Sequence, residues 1–517
     1  MEVDSPTYDV AVLGSGFAGS LVALILAKAG RRVALIDRTA HPRFAVGESS
    51  TPAADYLLDQ LCRQYDLEEL KPLCRYGSWC QSFPEVRRGC KRGFSYIWHG
   101  SGQDYRATEN HDCELMVAAS PNDALADTQW YRPDVDQLFF QQALRHGVHS
   151  FVPVEATDIL CTEHDGYKQP VWRLQLRIGR DSESIQAKFV VDASGPGSRF
   201  LSKLGVIDIT DQLRTNTSAV YTHFSHVSSA HNWLANQAAK VDEFPFHFDK
   251  AAVHHLFQDG WLWQIGFDGD KTSVGFVTKQ SVSESATEAH KFESDGEAAW
   301  RSSLDKHPVL KQFFENATLD EVPGRIIVSP RLQRLMTQGA GTNWAALPFT
   351  VGFIDPLHST GIAHSLSGVL RICQALLANS EHDRKQLLTA YSQEVIREVR
   401  HIDAMISGCY DSLVNFKLFN CWTMIYFAAA TTFERLHRQG ESPSFLLVGD
   451  VEFSKIVGRC RDDLDALLNS ENANDPERVQ AYINRVRRWI QPYNHVKLFA
   501  PTFPNMYYHT VAEKNHY

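Results

Sequence analysis

Several chemistries are missing from this sequence. Ten cysteines are spread over 517 residues. None forms CxxC, so neither a zinc knuckle nor a redox dithiol is present. Isolated cysteines are small buried hydrophobes, and free thiols imply a reducing compartment. HExxH is absent, and no other closely spaced carboxylate–histidine set stands out. His254 and His255 are adjacent, so on a strand they point to opposite faces and cannot chelate together. No metal is expected. The longest apolar runs, 17–27 and CWTMIYFAAAT at 421–431, fall short of the roughly 20 residues that span a bilayer. The opening MEVDSPTYDV has no signal-peptide pattern, so a cytoplasmic protein with no membrane partner is expected. Positive charge is not in excess: the formal net charge is −10, which argues against nucleic acid or an anionic membrane as partner. A hydrophobic share of 44% with 22% charged residues is that of a globular chain, and the length allows two or three domains.

What is present begins at DVAVLGSGFAGSLVALILAKAGRRVALID. An apolar strand over 8–13 runs into Gly14, Gly16 and Gly19. A helical pattern follows over 17–29, starting Phe17-Ala18, and then a second strand that ends at Asp37-Arg38. Gly14 permits a tight turn, Gly16 lets the backbone approach a pyrophosphate, and Gly19 lets the helix pack close to the sheet. The helix N-terminus offers its free N–H groups to phosphate. Asp37 is placed to accept from a ribose hydroxyl, which disfavours a 2′-phosphate. This is a dinucleotide site. The segment HPRFAVGESSTP (41–52), with Arg43, Val46, Gly47 and Ser49, leads into a helical pattern instead of another strand. The chain then wanders to about residue 150. Such an insert suits FAD, an extended ligand, better than NAD.

QAKFVVDASGPGSR (186–199) reads as a strand returning to the nucleotide sheet. Between 215 and 278, NTSAVYTHF, AAVHHLF, WLWQIGF and TSVGFVT alternate as short strands with DG turns between three of them. An antiparallel layer on the substrate side is expected. Its strand WLWQIGF puts Trp261, Trp263, Ile265 and Phe267 on one face. Residues 390–407 and 454–490 are amphipathic and helical, and the aromatic stretch near the C-terminus is expected to pack on the body.

PRFAVGES (42–49), WLWQI (261–265) and GFIDPLHSTGI (352–362), together with GSGFAG, resemble the flavin-dependent halogenases. The resemblance covers about 8–370. It implies an α/β fold: a Rossmann-like FAD-binding domain of the glutathione-reductase/monooxygenase type over 1–205 and 326–375, an antiparallel substrate domain over 206–325, and a helical C-terminal subdomain over 376–517. It also implies reduced FAD delivered by a separate flavin reductase, and oxidation of chloride or bromide to hypohalous acid. That acid reaches a lysine beside an aromatic substrate, free or carrier-bound. The spacing KxGxxF points to Lys91 in KRGFSY. Trp261 and Trp263 would bar the substrate from the flavin, and Thr360 and Gly361 would hold halide. Gly352, Gly361 and Ile362 would meet the cofactor. His358 and Ser359 stand in the PLxS position, where tryptophan-directed members carry glutamate. Histidine titrates near neutrality and is able to take a proton or orient a phenol. Two departures stand out: Gly266 replaces the signature proline, and Phe349 replaces an aspartate that holds the flavin. A direct monooxygenase, an FAD-dependent dehydrogenase and a non-catalytic flavin binder remain open, as do monomer and homodimer.

Overall fold

The computed structural model describes residues 6–100, 105–162, 171–178, 181–280, 295–471 and 473–508. The N-terminal five residues, read above for the absence of a signal, lie outside these.

Two sheets and a helical layer make up the α/β fold. The first sheet has five parallel strands in the spatial order Trp344–Ala346, Asp181–Asp192, Thr7–Leu13, Val33–Ile36 and His149–Phe151. The central strands Thr7–Leu13 and Val33–Ile36 are nearly continuous apolar runs, as strands covered on both faces require. VALI of 33–36 is wholly buried. The register aligns Leu13 with both Ile36 and Asp192, and Asp192 with Ala346. The carboxyl ends of these strands therefore share one edge, where the glycine turn after Leu13 sits.

The second sheet is nine-stranded and mostly antiparallel. Strands Thr217–Ser225, Lys271–Lys279, Gly260–Gly266 and Ala252–Leu256 follow one another across it, as the alternation of their sequences predicts. The sheet then extends beyond the 206–325 segment. Ala252–Leu256 pairs in parallel with Gly93–Trp98, which pairs with Glu114–Ala118, which pairs with Met506–Tyr507. Strands Gly93–Trp98 and Glu114–Ala118 fall within the stretch read from sequence as cofactor domain, yet here they belong to the second sheet. Parallel pairing between distant segments leaves no local signature, so sequence reasoning had nothing to detect. The aromatic C-terminal stretch does pack on the body, with Met506 fully buried.

Five helices follow: Thr360–Leu376, Glu381–Ser412, Phe416–Arg438, Val451–Leu468 and Pro476–Trp489. The run CWTMIYFAAA lies in Phe416–Arg438 and is buried on all sides, as a helix apolar all round must be in a folded core. It packs against Glu381–Ser412, Pro476–Trp489 and the early helix Pro52–Gln64. No described helix is long and apolar enough to cross a membrane.

Candidate active site

The glycine turn is forced by contact. Gly14 has φ +103°, and a Cβ there would lie 2.4 Å from Ala193 O; a Cβ on Gly19 would lie 2.0 Å from Gly14 O. Strand, turn and the helix Phe17–Lys28 can close only around hydrogen. Gly16 differs. A Cβ on it meets nothing nearer than 3.6 Å, because Gly16 faces a cavity.

That cavity has a volume of about 400 Å³. It is lined by Gly16, Phe17, Ala18 and Gly19 and also by Ser359, Gly361 and Ile362. Val46, Gly47 and Ser49 form one wall, held in place by Arg132, whose Nη1 donates to Val46 O at 2.8 Å and Gly47 O at 3.1 Å. Trp261, Trp263 and Ile265 form another, with His254 and Phe349. Two helix N-termini thus open on one space, and Ser359 enters the second helix at φ +53° with no side-chain cap. Uncapped N–H groups favour anions. A cavity lined by the glycine turn and by arginines has the donors that the diphosphate of FAD needs.

Not every sequence candidate lines the cavity. Arg43 does, but Asp37 is taken up by Ser15 N at 2.8 Å, Thr39 N at 3.0 Å and Arg43 at 2.9 Å. Arg38 is exposed beyond it. Gly352 is buried, pairing with Leu335. Thr360 borders a narrow side void together with Gly361.

Lys91 and His358 lie further inside. Lys91 is fully buried, donates to Ser50 O at 2.6 Å, and sits 4.2 Å over the Phe94 ring. Burial pulls its amine down to about 7, against the opposing charges of Asp127 and Asp55. His358 stacks on Tyr426 at 4.2 Å with Nε2 3.3 Å from Cys409 Sγ, and its Nδ1 is buried with no hydrogen-bond partner among the described residues. Burial, then the charges of His254 and Lys91, hold its proton affinity well below the ordinary imidazole range. A void of about 20 Å³ borders this region, lined by Phe94, Tyr426, Phe427, Ala430, Val117 and Thr51.

Trp261 and His254 line the larger cavity and do not line the smaller void. Trp261 and His254 face each other at 4.9 Å, and His254 stacks on Tyr96 at 4.5 Å. His254 Nε2 lies 3.0 Å from Leu357 O and Nδ1 3.2 Å from Ser95 O, so it ties the PLHSTG loop to the sheet. Burial depresses it to about 3, which keeps the ring neutral with a single N–H for these two carbonyls. Trp261 Nε1 donates to Tyr410 OH at 2.8 Å, and Tyr410 OH donates to Asp355 Oδ2 at 2.8 Å. Burial raises Asp355 to about 7. His254, Tyr410 and Asp355 were not singled out from sequence. The only cue to His254 was the inward alternation of AVHHL.

The chain matches the tryptophan halogenase family over residues 9–415. It belongs to that family. The enzyme is a flavin-dependent halogenase. It is 25% identical over 434 residues to the monodechloroaminopyrrolnitrin halogenase PrnC of Pseudomonas fluorescens, covering 82% of this chain and 71% of that one. It is 24% identical over 426 residues to the tetracycline 7-halogenase of Kitasatospora aureofaciens, covering 81% and 72%. In fold the halogenase is similar to the crystal structure of halogenase PltM, with a TM-score of 0.79 over 94% of this chain and 96% of that one at 24% identity. It is also similar to the flavin-dependent brominase Bmp2, with a TM-score of 0.62, 22% identity, and coverage of 89% and 99%.

Proposed function

We propose that this halogenase acts on a small electron-rich arene bearing an O–H or N–H donor, a phenol or a pyrrole, at a site next to Lys91 and His358. The observation that carries this reading is the buried lysine, which does not line the cofactor cavity that Trp261 and His254 line. The cofactor domain is of the glutathione-reductase/monooxygenase type, in keeping with its parallel sheet and the glycine turn after the first strand. Reduced FAD with oxygen supplies the oxidising equivalent that turns chloride or bromide into hypohalous acid, and a separate flavin reductase supplies reduced FAD. Gly14, Gly16, Gly19, Arg43 and the Val46–Ser49 wall hold the cofactor. The backbone N–H groups from Ser359 to Gly361 hold the halide.

Lys91 receives the hypohalous acid. Its amine, about 7, is partly neutral at physiological pH and either hydrogen-bonds the acid or forms a haloamine with loss of water. The arene carbon then gains halogen and loses a proton. His358 is a weak base in this setting. Its neutral ring turns Nε2–H toward Cys409 and leaves Nδ1 as an unmet acceptor. A buried acceptor left unmet costs roughly 1–3 kcal/mol, and a substrate O–H or N–H restores the bond. His358 therefore orients the arene. Phe94, Tyr426 and Phe427 supply aromatic faces, and the void beside them must widen to admit a ring. Cysteines that form no disulfide suit a cytoplasmic setting.

The test is product mass spectrometry with enzyme, FAD, a generic reductase with NADH, oxygen, either halide, and a panel of phenols, pyrroles and indoles. A phenol or pyrrole gaining one halogen, lost in Lys91→Ala, is expected. A halide-independent gain of one oxygen would reject the reading.

A further inference from the structure

We infer that Arg334 is an anion-binding residue of the cofactor cavity whose counter-ion arrives with the ligand; this rests on reading the cavity as the FAD site. Four arginines line that space: Arg43, Arg132, Arg331 and Arg334. Three have a carboxylate of their own. Arg43 meets Asp37 at 2.9 Å, Arg132 meets Asp136 at 2.8 Å, and Arg331 meets Asp211 at 3.0 Å. Arg334 forms no ion pair among the described residues. The acid whose charge it feels is Asp208, whose Oδ1 accepts from the Thr210 N–H and hydroxyl and which makes no ion pair with Arg334.

The guanidinium is held in place without being neutralised. Its Nε donates to Phe349 O at 3.0 Å, and Nη2 donates to the same oxygen. The Phe349 ring lies 4.3 Å from the guanidinium and the Phe353 ring 5.6 Å. On its other side Phe349 packs against Gly195, where a Cβ would come within 3.4 Å of the ring. Carbonyl and ring quadrupole position the cation, but neither carries a full negative charge. Nη1 forms no hydrogen bond with a described residue. A half-buried cation on a cavity wall is less costly with an opposite charge beside it, and burial lowers the proton affinity of this arginine. A planar fork with a free N–H suits an anion.

Phe349 explains how the charge stays available. The family pattern has aspartate there, and an aspartate at this spot would sit against Arg334 and cancel it. Phenylalanine instead props the guanidinium toward the cavity. The charge at this part of the cavity is therefore positive and open, and two anions are able to use it: the cofactor diphosphate and the halide.

The experiment compares the wild-type chain with Arg334→Gln and Arg334→Lys. FAD and riboflavin affinities are read from flavin fluorescence, and bromide affinity from its quenching of bound flavin. The expected result is FAD binding about tenfold weaker or worse in Arg334→Gln, which corresponds to at least roughly 1.4 kcal/mol. Arg334→Lys recovers part of that loss. Riboflavin has no phosphate and binds as in wild type, which also shows that the cavity is intact. That pattern assigns the diphosphate. Unchanged FAD affinity with weakened bromide binding supports the inference with halide as the anion. Unchanged affinity for both in Arg334→Gln, or equal losses for FAD and riboflavin, overturns it while leaving the cofactor reading in place. A wild-type chain that binds no FAD removes both.

Discussion

A lysine amine held near neutrality is a reagent as much as a structural burden. Lys91 has the ordinary value of 10.5 when unfolded and about 7 when folded. Between those limits the unfolded chain binds the extra proton, so folding stability rises with pH across that window. The unfolding free energy of wild type minus that of Lys91→Met is expected to grow by a few kcal/mol from pH 7 to 10.5, measured by denaturant titration. Halogenation should rise through about pH 7 as the amine loses its proton. Two glycines offer a sharper contrast. Gly16→Val projects into open cavity and should fold normally yet bind no FAD. Gly19→Val drives its side chain into Gly14 O and should destabilise the fold itself. Melting curves with and without FAD separate the two outcomes. All three residues were legible in the sequence, because their roles depend on immediate neighbours or fixed spacing. Arg334 was not: its meaning lies in the absence of a carboxylate, and only the folded chain shows which acids are near.

Among the elements, the helix Phe416–Arg438 bears on the proposed substrate site. It supplies Tyr426 and Phe427 to the space beside His358. Phe427→Ala should remove a wall of that void at about 3–5 kcal/mol of stability and shift the product profile toward bulkier phenols. An unchanged profile would place the arene elsewhere. In sequence this helix was only an apolar run too short for a bilayer. The tryptophan strand was plainer, since strict alternation placed Trp261 and Trp263 on one face, and both line the cavity. The adjacent histidines were weighed only as metal ligands. His254 instead lines the cavity and ties a loop to the sheet, a role that no spacing rule describes.

Across the whole molecule, the helical region reaches into the site through buried hydrogen bonds, among them a chain centred on Tyr410. Tyr410 is 149 positions from Trp261 and 55 from Asp355, and it bonds to both. Tyr410→Phe keeps the ring but leaves the Trp261 indole without its acceptor. We expect FAD affinity to persist while halogenated product per reduced FAD oxidised falls several-fold; unchanged coupling would show that Trp261 needs no such anchor. The sequence alone determined the dinucleotide turn, the alternating sheet and the halogenase-like loops, because each depends on residues close together in the chain. Only the tertiary structure decided that strands 93–98 and 114–118 join the second sheet, that Lys91 and His358 lie apart from the cofactor cavity, and that Arg334 has no acid partner. Those facts come from packing between segments that are apart in the chain, from 15 residues for Arg334 and Phe349 to more than a hundred for strands 93–98 and 252–256. Burial then sets the charge of each group, and no local pattern encodes it.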